Sequence, residues 1–92
     1  MILPLISKIP LTMTRTKVIA ETLRSIGYDP DAELLELEFT SGDIYDYQKV
    51  KPYLYMGLMN SNTKDAYFNK YIRDNYEVEK IKEISKAALY VA

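Results

Sequence analysis

The chain has no cysteine, no histidine and no tryptophan in 92 residues. Without cysteine there is no disulfide, no thiolate nucleophile and no sulfur-ligated zinc. Without histidine it lacks the side chain that most often serves as metal ligand and as general base near neutral pH. Long apolar runs are missing as well, since nothing approaches the roughly 20 residues needed to span a bilayer. The opening residues 1–13 are apolar, but Pro4 and Pro10 interrupt them. No basic start precedes that run and no small-residue cleavage site follows it, so it does not read as a signal peptide. An intracellular, cytoplasmic protein is the expectation.

A strong charge of either sign is also lacking. Twelve Lys/Arg stand against 13 Asp/Glu, a formal net charge of −1. The halves differ: the first 46 residues carry a net −4 and the remaining 46 a net +3. A mildly basic second half suits phosphate contacts but falls short of the strongly basic face of a dedicated nucleic-acid binder, and opposed halves also suit protein contacts.

What is abundant is tyrosine, nine residues, against two phenylalanines. With 48% apolar residues the chain can fold, and its length allows one core and no more. Tyrosines keep hydroxyls near the rim of such a core, because each buried hydroxyl needs a partner.

Two prolines in ten residues make residues 1–14 an irregular arm or an edge strand. Residues 15–26 satisfy both strand and helical spacing, and a strand near 16–28 is the reading adopted. A turn follows Tyr28, where Asp29 can bond to the backbone beside Pro30. Residues 35–39 alternate, with Leu35, Leu37 and Phe39 on one face and Glu36 and Glu38 on the other. Gly42 suits a positive φ in the next turn, and residues 44–50 return with Tyr45 and Tyr47 on a common face. Pro52 fits a first helical position, and helices are expected near 52–59, 63–74 and 77–90. The predicted fold is α+β: a small antiparallel meander packed with two or three C-terminal helices. Residues 15–76 form its domain, and 77–92 a terminal helix available to a second copy. Leu35, Leu37, Phe39, Tyr45, Tyr47, Leu58, Phe68 and Ile72 are the expected core.

Three clusters have fixed offsets: Gly27-Tyr28; Phe39, Gly42, Tyr45, Tyr47 and Val50; and Tyr67, Phe68, Ile72, Arg73 and Tyr76. Together they resemble the KTSC domain, known from the C-terminal extension of some lysyl-tRNA synthetases and from small stand-alone bacterial and phage proteins. The resemblance covers about residues 21–76 and implies a compact sheet-plus-helix unit, with RNA binding proposed for the family. Its motif residues are expected to be mainly structural. Where the family has Ser-x-Gly before its aromatic pair, this chain has Thr63-Lys64-Asp65, and the family's Ser-Ser is matched at best by Glu21-Thr22. Asp65 would serve as a favourable first-turn residue of a helix.

No catalytic residue, cofactor site or metal site is assigned. Asp29/Asp31 and Asp43/Asp46 lie in turns or at strand edges, where solvent should leave them ordinary. Asp43 and Asp46, across from Glu36 and Glu38, would attract a divalent cation only weakly. The expected function is therefore a non-catalytic binding module. Lys64, Lys70 and Arg73 form its candidate phosphate patch, extended by Lys49 and Lys51, with Tyr67 or Tyr71 beside it for base stacking. Single-stranded or structured RNA is the first candidate partner. The alternative is protein recognition, as by a phage or viral accessory protein acting on a host protein, or a homodimer through the C-terminal helix.

Overall fold

Leu35, Leu37 and Phe39 share a strand face with Tyr45 and Tyr47, because Leu35 pairs with Tyr47 and Leu37 with Tyr45. That shared apolar face organises the fold. The computed structural model describes residues 14–82. Within them, β1 (Arg15–Lys17), β2 (Leu23–Asp29), β3 (Leu34–Phe39) and β4 (Ile44–Tyr47) precede helix α1 (Pro52–Asn60). Helix α2 (Lys64–Tyr67) runs directly into a π-helical turn (Phe68–Ile72), and β5 (Val78–Lys82) closes the described chain. All five strands are antiparallel in the order β1-β2-β3-β4-β5, and the helices cover one face of the sheet. The predicted α+β architecture is the one observed.

Local chemistry fixes the turns. Between β2 and β3, the Asp29 carboxylate accepts the backbone N–H groups of Asp31 (3.0 Å) and Ala32 (3.3 Å). Between β3 and β4, Gly42 has φ 99°, a conformation that a side chain disfavours, and its N–H donates to Phe39 C=O at 2.8 Å. Val50 is held twice: its N–H donates to Glu33 C=O (2.8 Å), and its C=O accepts the Tyr28 hydroxyl (2.5 Å). Tyr28 also stacks on Tyr55 of α1, with ring centroids 4.7 Å apart.

The core lies between sheet and helices. Leu23, Ile26, Leu35, Leu37, Tyr47, Val50, Leu54, Leu58, Phe68 and Ile72 are buried in one cluster. Each large aliphatic side chain fully buried there stabilises the fold by about 1.5–3 kcal/mol. Phe39 and Tyr45, expected inside, are only partly buried against that cluster. The π turn is defined by Arg73 N–H, which donates to Phe68 C=O five residues back (2.9 Å).

Two expectations are corrected. The single strand near 16–28 is two strands: Arg15 pairs with Gly27 and Lys17 with Ser25, so the chain reverses between them. The helix expected from 77 begins instead as strand β5, in which Val78 faces Tyr47 and Lys80 faces Tyr45. The unpaired edge of β4 presents N–H and C=O groups that a strand satisfies and a helix does not. The remainder of that expected helix and dimer surface, 83–92, and the arm at 1–13 lie outside the described residues.

Candidate functional site

The aromatic residues of β3, β4 and the π turn meet edge to face. Phe39 approaches Tyr45 at 5.7 Å and Phe68 at 5.6 Å, and Tyr47 approaches Phe68 at 5.6 Å, all with steep interplanar angles. This is the preferred geometry for ring quadrupoles. Tyr47 and Phe68 are buried, whereas Phe39 and Tyr45 keep part of their surface open. The four rings wall a cleft of about 440 Å³, within the roughly 300–1,000 Å³ range of small-ligand pockets. Its polar rim is Thr22, Asn69 and Arg73. A second hollow of about 320 Å³ adjoins it across Phe39 and Tyr45, lined further by Thr40, Ser41 and Asp43.

The π turn positions the arginine. Arg73 follows Ile72, which is buried, and its guanidinium lies 3.4 Å from Asn69 Oδ1 while lining the cleft. Burial pushes the Tyr47 hydroxyl above its usual pKa and Tyr45 adds to that, with Arg73 pulling back in part. A short π segment inside a helix is a common device where a side chain must be re-aimed at a functional site.

Among the described residues, four cations are ion-paired. Arg15 pairs with Glu36, Arg24 with Glu38 at 3.6 Å, Lys51 with Glu33 at 3.2 Å and Lys80 with Asp43 at 3.8 Å. Among the described residues, Lys64, Lys70 and Arg73 have no carboxylate within ion-pair distance. These three do not converge into the single patch expected from sequence. Lys64 Nζ is tied to Ser61 C=O at 2.7 Å and lines a separate groove with Lys17 and Met59. Lys70 lies over the Tyr71 ring, 5.2 Å from its centroid, and Tyr71 in turn meets Tyr67 at 4.8 Å. Arg73 alone enters the aromatic cleft. Lys49 stands exposed at the end of β4 with φ 60°, and Lys51 is occupied by Glu33.

Thr22, Phe39 and Asn69 were not among the expected contact residues. The signal for Phe39 was present in the motif, since it shares a strand face with Leu35 and Leu37 beside Tyr45 and Tyr47. Thr22 stands out in sequence only as the match to the family's Ser-Ser, and nothing in sequence points to Asn69. Gly57 is a further silent position: a Cβ there would fall 2.2 Å from the Tyr67 hydroxyl, so the glycine admits Tyr67 against α1.

Asp46 is not the ordinary carboxylate expected. Its pKa is raised to about 7, first by burial, then by its hydrogen bond to Glu36 and the charges of Glu36 and Glu79, with Arg15 opposing. The reason is its place inside a strand rather than in a turn. Among the described residues no group of acids is arranged to hold a metal ion, and no helix is long and apolar enough to cross a membrane.

Comparison with known proteins agrees with the motif. The family profile of the KTSC domain matches residues 21–76. An uncharacterised protein of Stutzerimonas stutzeri is 34% identical over 64 residues, which is 70% of this chain and 90% of that protein. The lysine–tRNA ligase of Nostoc punctiforme is 32% identical over 59 residues, 64% of this chain but 10% of the ligase. The crystal structure of a KTSC domain protein from Yersinia pestis superposes with a TM-score of 0.74 at 31% identity, covering 76% of this chain and 99% of that one.

Proposed function

This chain belongs to the KTSC domain family, and from that premise we propose that it is a small non-catalytic binding module for unpaired RNA. The observation that carries the reading is Arg73, a guanidinium without a carboxylate partner among the described residues, at an aromatic cleft built from the family's own motif positions. Phe39 and Tyr45 offer partly open rings to a nucleobase, a contact worth about 1–3 kcal/mol per base. Arg73 supplies a fork of donors for a phosphate or a base edge, and Asn69 an amide beside it. Lys70, over the Tyr71 ring on the same helical layer, adds a cation for a further phosphate contact. Similarity to part of lysine–tRNA ligases, which act on a tRNA, favours RNA over DNA.

The test is fluorescence anisotropy of short single-stranded RNA, hairpin RNA and duplex DNA against the purified protein at low and physiological salt. Saturable binding of the single strand, weakening with salt, is expected. Lys70→Glu with Arg73→Glu should abolish it while circular dichroism stays unchanged. No binding at low salt, or unchanged affinity in the double variant, overturns the reading.

A second reading, recognition of a protein, is favoured by α1. That helix contains no charged residue and exposes Tyr53 and Met56 at 69% and 57%, with Tyr71 also open at 43%. Aromatic and Met enrichment with depleted charge is the composition of interface cores. If RNA does not bind, a partner captured by the wild type and lost on Tyr53→Ser with Met56→Ser supports this reading.

A further inference from the structure

The outer face of the sheet carries one continuous row across all five strands. Register places Arg15 opposite Gly27, Gly27 opposite Glu36, Glu36 opposite Asp46 and Asp46 opposite Glu79. Gly27 has no side chain, so Arg15 reaches over β2 and binds Glu36. Beyond Glu36 the row is purely acidic. Ser25, the neighbour of Gly27 on the same face, is engaged by Arg15 and donates to Glu38 instead. Lys80 is directed to Asp43 and the Tyr45 ring, on the opposite side of β5 from Glu79.

Asp46 is thus faced by Glu36 from β3, Glu79 from β5 and, more remotely, Arg15 from β1, while β2 contributes only Gly27. Glu36 and Asp46 stand directly opposite each other on adjacent strands, where two carboxyl groups are held together by sharing a proton and repel without one. Among the described residues, Asp46 Oδ1 is buried without a hydrogen-bond partner. Like charges directly opposite on neighbouring strands weaken their pairing. Among the described residues, β5 is held by its ladder to β4, by Lys80 at Asp43 and the Tyr45 ring, and by Gln48 N–H donating to Glu77 C=O at 2.9 Å. It is five residues long, joins β4 through a register shift between Ile44 and Tyr45, and leaves Val78 and Ile81 each 46% exposed.

We propose that β5 is a proton-operated strap on β4, paired while Glu36 and Asp46 share a proton and lifted when that proton leaves and three ionised carboxylates face one another with, among the described residues, only Glu36 paired to a cation, Arg15. Lifting it removes Lys80 from the Tyr45 ring and uncovers the β4 edge that carries both cleft tyrosines. The strap therefore sets whether Lys80 occupies the Tyr45 ring, one wall of the aromatic cleft; the functional consequence rests on the RNA reading above, whereas the strap itself is tested without any ligand. Asp46 titrates at about 7, so the change falls around neutral pH.

The test is amide hydrogen exchange by NMR on the full chain at about pH 5.5 and about pH 8.5, on either side of that midpoint, corrected for intrinsic exchange. Protection of the β5 amides should fall about tenfold or more at the higher pH, the equivalent of one pKa unit of coupling, while β2 and β3 keep theirs. Asp46→Asn keeps a hydrogen-bonding group without the charge and should hold β5 protected at both pH values. Glu79→Gln, a milder change at the exposed end of the row, should reduce the drop. Equal wild-type protection at both pH values overturns the strap, as does a drop in Asp46→Asn or Glu79→Gln as large as that of the wild type.

Discussion

Asp65 holds Thr22. Its carboxylate accepts the backbone N–H groups of Glu21 (2.8 Å) and Thr22 (3.0 Å) and the Thr22 hydroxyl, joining the first turn of α2 to the bend that enters β2. Two of the places where this chain departs from the family pattern, Glu21-Thr22 and Asp65, are therefore one contact. Burial pushes the Asp65 carboxyl up, but the bonds from Thr22 and Glu21 outweigh it and leave the pKa below the usual value. A depressed folded-state pKa contributes stability above the unfolded value that is lost as pH falls through the folded one. Asp65→Ala should cost about 1–2 kcal/mol near pH 7, the range for charge-assisted bonds at a partly exposed site, and less in acid. Urea denaturation at the two pH values checks it, and an equal cost at both would contradict the assignment.

Gly57 and Tyr67 make the opposite kind of pair, in which one residue is small so that the other fits. In an exposed helix Gly→Ala normally stabilises by roughly 0.5–1 kcal/mol. Here the new methyl would meet the Tyr67 hydroxyl at 2.2 Å and its ring carbon at 2.8 Å, so Gly57→Ala should destabilise by about 1–2 kcal/mol through overpacking. In a Tyr67→Ala background the same substitution should recover its ordinary benefit. A double-mutant cycle measures the difference directly, and additive effects would show that the two residues do not compete for space.

Tyr28→Phe isolates one hydroxyl. The ring would still stack on Tyr55, but the C=O of Val50, a fully buried residue, would lose its donor. The expected loss is about 1–2 kcal/mol, whereas Tyr28→Ala should lose about 3–5 kcal/mol because the ring goes as well. Midpoints of chemical denaturation with an unchanged slope would show both. Equal losses would mean that the hydroxyl carries the whole contribution of the residue.

The hairpin of β3 and β4 was legible because alternation, Gly42 and the return strand all agree on one structure. The segment 78–82 was not, since Val78, Ile81 and the apolar residues after it also satisfy a helical period. What decides it is the open edge of β4, some thirty residues away in sequence. The same distance hid Asp46. Read locally it is a polar residue between two tyrosines, and only the pairing of β3, β4 and β5 sets Glu36 and Glu79 against it. The cleft was half legible: its walls are motif residues, but the direction of Arg73 depends on a π turn that no residue type announces.

Asp46 predicts a pH dependence of stability with a definite sign. Its folded-state pKa, about 7, lies above the 3.8 of an ordinary aspartate. A raised pKa contributes stability fully below the unfolded value, and that contribution is lost as pH rises towards the folded one. The wild type should therefore weaken progressively from about pH 4 to about pH 7 relative to Asp46→Asn, with no further difference accruing above that window. Because Asp46 is only half-buried, the gain from Asp46→Asn at pH 8 should be on the order of 1 kcal/mol after solvent screening. Asp65 works in the other direction at lower pH, so the comparison is made as the difference between the two proteins at each pH. A difference that stays constant from pH 4 to pH 8 would place the proton elsewhere than between Glu36 and Asp46.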